Sequence, residues 1–149
     1  MKQLFPFILI AAIIGGVMFF MNDDYEKDRF EPVNSIETIS VDWVATLFVD
    51  DTHLEVPTLG VRLESRKDDM DLEAIEFFLE SERGGFYYQD LNVQQFNGEI
   101  SYSEPCEFCD QTDSIYSYVN VQVHWKEQDG YIMSDYFHFD FPTLLSGLR

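Results

Sequence analysis

The sequence predicts an α+β protein: a transmembrane helix, then a small antiparallel β-sheet domain of about six strands with one packed α-helix. Three observations carry this reading. Residues 4–21 contain no charge. Several later runs alternate apolar and polar residues and are punctuated by Asn97-Gly98 and Gln128-Asp129-Gly130. One stretch, residues 68–85, instead carries apolar residues at helical spacing.

The first element is the apolar run. Residues 1–21 hold sixteen apolar side chains and one charge, Lys2. The eighteen residues from Leu4 to Met21 would reach ~27 Å as a helix, enough for a bilayer core. Pro6 falls in the first turn, where its missing N–H costs little. Val17-Met18-Phe19-Phe20-Met21 offers no small-x-small cleavage triplet, so the run reads as an uncleaved signal-anchor. Residues 1–3 then form a short cytoplasmic tail. Lys2 is balanced by Lys27 and Arg29 beyond the run, so basic residues do not orient it. The cysteine pair and the acidity of the remainder favour an extracytoplasmic C-terminal part, periplasmic or extracellular. Residues 22–35 are polar, include Pro32 and read as a juxtamembrane linker.

Residues 36–149 form the expected acidic domain. Ile39, Val41, Trp43, Ala45, Leu47 and Val49 keep a period of two and predict one long strand. Gly60–Ser65 predicts a second. Asp68, Asp69 and Asp71 place acids where a helix N-terminus favours them. Leu72, Ile75, Phe78 and Leu79 make one stripe, and Arg83 with Gly84-Gly85 reads as the helix end. Residues 86–96 and 99–103 would pair through Asn97-Gly98, with Val93 opposite Tyr102 and Gln95 opposite Ile100. Residues 115–126 and 131–141 form the last hairpin. A three-residue loop ending in Gly130 sets Val121 opposite Phe137 and Trp125 opposite Met133, which matches apolar faces.

Charge narrows the function. The net −19 of the whole chain becomes −20 after Met21, where 28 acidic residues face eight basic ones. No basic stripe exists to displace counterions, so nucleic acid is not an expected partner. A protein partner with a basic surface is. Acid pairs such as Asp50-Asp51 and Asp68-Asp69 match no EF-hand loop. No metal or other cofactor is expected. No nucleophile elbow, phosphate loop or metalloprotease helix occurs in the sequence, and the expectation is a protein without enzymatic activity.

Two groups of residues stand out. Cys106-Glu107-Phe108-Cys109 lies among acids that oppose a thiolate and far from a convincing helix start. It reads as a local disulfide; a thiol–disulfide or metal-handling role is the alternative. Tyr87, Tyr88, Tyr116, Tyr118 and Tyr136, with His124 and His138, lie on or beside expected strands as a candidate binding face. The expected function is thus a single-pass, membrane-anchored, extracytoplasmic binding or assembly module. A tethered immunity or inhibitor protein acting on a basic toxin is the other reading of the same charge and anchor.

Overall fold

Alternation of apolar and polar side chains governs most of the chain beyond the linker, and backbone pairing follows it. The computed structural model describes residues 34–50, 56–109, 118–128 and 130–140. These form eight strands: β1 (Asn34–Ile39), β2 (Trp43–Asp50), β3 (Thr58–Ser65), β4 (Leu72–Ser81), β5 (Gly84–Asp90), β6 (Glu99–Pro105), β7 (Tyr118–Glu127) and β8 (Ile132–Asp140). The first sheet has the order β1-β2-β3-β6 and the second β5-β4-β7-β8. Every neighbouring pair is antiparallel.

The α+β expectation is therefore overturned. The described residues hold two four-stranded sheets and no helix. Among them, no helix is long and apolar enough to cross a membrane. The apolar run 4–21 and linker residues 22–33 lie outside the described residues.

The segment expected to be the helix is β4 and the start of β5. Ile75, Phe77 and Leu79 point inward at period two and are buried, while Phe78 is exposed. A register irregularity between Leu72 and Ala74 shifts the phase at the strand's start. Such a bulge adds a residue, so buried Leu72 and buried Ile75 stand three apart and imitate a helical stripe. Gly84-Gly85 does not cap a helix. It follows the Glu82-Arg83 turn, where Ser81 pairs with Gly84. Gly84 has φ +151°, which a side chain would disfavour.

Two other expectations change. The eleven-residue alternation from Ile39 to Val49 is split by a turn: Ser40 N–H donates to Trp43 O at 2.8 Å and Trp43 N–H to Ser40 Oγ at 3.1 Å. Ile39 and Val41, which kept the period, are exposed. Asn97-Gly98 closes no hairpin. Residues 91–98 carry the chain from the second sheet back to the first, with Gln95 and Gly98 at positive φ. Tyr102 and Ile100 pair instead with Val61 and Leu63 of β3. The last hairpin forms in the expected register, with Val121 opposite Phe137 and Trp125 opposite Met133. Gly130, at φ +90°, donates its N–H to Glu127 O at 3.0 Å, as a left-handed loop residue should.

The inner faces of both sheets share one core, built on Trp43, Leu47, Val61, Phe77, Val121 and Phe137. Trp43 of the first sheet meets Trp125 of the second edge to face, centroids 5.6 Å apart. Burying each large side chain contributes about 1.5–3 kcal/mol. Both indole N–H groups lack a hydrogen-bond partner, so ring packing outweighs a polar cost at this contact. At one end, Lys67 reaches Asp42 (3.0 Å) and Glu127 (2.9 Å), tying the β1–β2 turn to β7.

Candidate functional site

Alternation along β7 and β8 sends Val119, Val121, Val123, Phe137 and Phe139 into the core. The intervening side chains must then share the opposite face. Cross-strand register orders that face into rows: Tyr87, Phe78, Gln122 and Tyr136 form one, and Gln89, Glu76, His124 and Ser134 the next. Asn120 and His138 form a third with Glu80, and Tyr118 lies beyond them opposite Asp140.

The rings are exposed, and several pack on a neighbour. Phe78 and Tyr87 are each 42% accessible, Tyr118 53% and Tyr136 59%. Phe78 lies 4.6 Å from Tyr87 and meets His124 edge on at 6.4 Å. Tyr118 packs on His138 at 4.6 Å, and His138 Nδ1 lies 2.7 Å from Asn120 Oδ1. Tyr87 donates its hydroxyl to Glu76 Oε2 at 2.8 Å. Partial desolvation, then that carboxylate, raises the Tyr87 pKa. The phenol therefore stays a neutral donor above its ordinary range. Ring-on-ring contact limits the rotamer freedom these side chains would lose on binding.

The fold thus brings Tyr87, Tyr118, Tyr136, His124 and His138 onto one face. Tyr88 belongs elsewhere: it is half-buried between the sheets, 5.0 Å from Phe77 and 5.1 Å from Tyr102. Its pKa is raised by desolvation first and then by Asp90. Tyr116 lies outside the described residues. Phe78 and exposed Ile132 join the face although sequence reasoning placed Phe78 in a helix stripe. The adjacent pair Phe77-Phe78 carries no signal of its own orientation; the bulge sets it.

The chemistry offered is that of rings, hydroxyls and acids. The outer face includes Glu76 and Glu80, and Lys126 is paired with Glu73 at 2.8 Å. Cations sit favourably over such rings. Ser134 stands opposite His124, but adjacent Asp135 stands opposite Val123, so alternation sends the two to different faces.

Cys106 and Cys109 are joined by a disulfide. Both are almost fully buried, at 1% and 3% accessibility, and belong to the core cluster. Cys106 N–H donates to Pro57 O at 2.8 Å, which fixes the segment after β6 against the residue before β3. Exchange requires a thiolate to reach a sulfur, and burial at this level opposes that approach. Among the described residues, no three His, Cys, Asp or Glu side chains come together as a metal site.

Comparison with protein-family models, curated proteins and solved structures finds no match to this chain.

Proposed function

We propose that this chain is a membrane-anchored, extracytoplasmic binding module, and that the outer face of its second sheet engages a protein with a basic surface. The observation that carries this reading is the convergence of Tyr87, Phe78, Tyr118, Tyr136, His124 and His138 on one exposed face. Aromatic side chains left to solvent in a contiguous group mark interaction surfaces more often than scattered ones do. The net charge of −19 supplies the complementary field and the steering. The charge-free run 4–21 supplies the tether.

The test uses the full chain in neutral detergent as bait, at low and at high salt, beside a Tyr118→Ala, Tyr136→Ala variant. Capture of a defined basic protein should weaken with salt and fall by about tenfold or more in the variant. Salt-insensitive capture, or capture unchanged by losing both rings, contradicts the proposal. Protease accessibility in sealed cells tests orientation: digestion of the domain only after lysis would reverse it.

A further inference from the structure

The two lateral sides of the sandwich close differently. On one side, β1 and β8 approach each other across the sheets. On the other, the edge strands β5 and β6 are bridged by side chains: Tyr102 lies 5.5 Å from Phe86 and 5.1 Å from Tyr88. These rings are half-buried, so an aromatic seam runs between β5 and β6, with Phe108 beside its Gly84 end. Next to it, β5 pairs with β4 alone among the described strands. Among the described residues, no backbone bond other than those to β4 reaches it.

Exposed edges are usually guarded by lysine, proline or a bulge. The β5 sequence GGFYYQD has no lysine or proline, and its register with β4 is unbroken. By contrast, β6 begins with Glu99 and ends in Pro105. The β4–β5 hairpin, residues 72–90, carries five acids and one base. Resting on the binding-module reading above, we infer that β5 is a docking edge for an extended partner segment that alternates apolar and basic side chains. Main-chain pairing extends the second sheet by one strand. Alternate side chains of the added strand point to opposite faces. The apolar set covers Phe86, Tyr88 and Tyr102, and the basic set lies beside Tyr87 and Glu76. A second copy of this chain is disfavoured as occupant because two acidic hairpins would meet.

The test titrates the full chain, in zwitterionic detergent, with a synthetic peptide alternating lysine and valine over seven residues. One control peptide has the same composition in two blocks; another is N-methylated along the edge that would face β5. Amide exchange by NMR reads the site. The alternating peptide should slow exchange along β5, and N-methylation should weaken binding by about tenfold, since several main-chain bonds are lost. Gln89→Lys, at an exposed edge position, should weaken it similarly, whereas Ser35→Ala, exposed on β1 of the other sheet, should not. Equal binding of all three peptides reduces the effect to charge attraction and overturns the proposal. Protection elsewhere overturns it too, as does concentration-dependent protection of β5 without peptide. If the peptides fail while the salt-sensitive basic partner is still captured, the edge is wrong and the binding face stands. Loss of both sinks the underlying reading.

Discussion

On the outer face of the first sheet, Phe48 is 4% accessible and lays its ring over Gly60. Its neighbour Thr46 is 9% accessible, and Arg62 bridges Glu64 and Glu99. On the outer face of the second sheet, Tyr118, Tyr136 and Ile132 are all more than half accessible. Both sheets are antiparallel and four-stranded, and both turn an apolar face to the shared core. They differ in what happens to the aromatic residues left outside. One face buries its ring over a glycine; the other leaves its rings open to solvent. Stability needs the first arrangement, whereas the second adds little to folding and is available for contact.

That contrast predicts a graded series of effects. The largest belongs to the core beneath both faces: Trp43→Ala should cost about 3–5 kcal/mol in denaturant unfolding, because Trp43 is fully buried against Trp125 and Phe96. The control, Phe78→Ala on the open face, should cost about 1 kcal/mol or less. Comparable losses would place Phe78 in the core and break the distinction between faces.

Gly60→Ala comes next. A Cβ there would stand 2.2 Å from Phe48 Cζ, and Phe48 is too enclosed to move freely, so about 1–3 kcal/mol should be lost. Combined with Phe48→Ala, the loss should be smaller than the sum of the single losses. Additive losses would show that the ring and the glycine are not coupled.

The Cys106→Ser, Cys109→Ser variant should lose about 2 kcal/mol, as expected for a short closed loop, and retain partner capture. Native protein should also resist thiol reductants until denaturant is added. Rapid native reduction would mean that the buried pair opens readily.

The smallest effect is alkaline. Hydrogen bonds to Glu127 and then Asp42 raise the Lys67 pKa above 10.5. A raised lysine contributes stability fully below its unfolded value and loses it as pH rises through the folded one. Lys67 is over a third exposed, so the contribution is small. Melting temperature should therefore fall slightly more steeply above pH ~10.4 in the natural protein than in Lys67→Met. Parallel curves would remove the clasp from the account.

The same two faces show what was legible in the sequence. The β7–β8 hairpin was readable because both strands alternate cleanly and Gly130 fixes the loop; its register placed Tyr118, Tyr136, His124 and His138 together. The disulfide followed from two close cysteines among acids. By contrast, β4 reads as a helix because its bulge shifts the phase between Leu72 and Ile75, and an odd spacing fits a helix as well as an interrupted strand. Asn97-Gly98 carries a strong hairpin signal, yet the strands on either side belong to different sheets. Tyr87 and Tyr88 are adjacent, and only pairing with Phe78 and Phe77 decides which faces solvent. Local chemistry identified strands; long-range pairing chose their faces.

The most direct test of the central claim places a photo-crosslinking amino acid in the full chain, in native cells, at one position per face. Tyr136 and Tyr118 sample the second sheet, and Ser35 and Glu37, both exposed on the first sheet, provide the comparison. A discrete crosslink to a basic protein is expected from Tyr136 and Tyr118 and none from Ser35 and Glu37. Crosslinks from the first sheet alone, or equally from both, would contradict the claim.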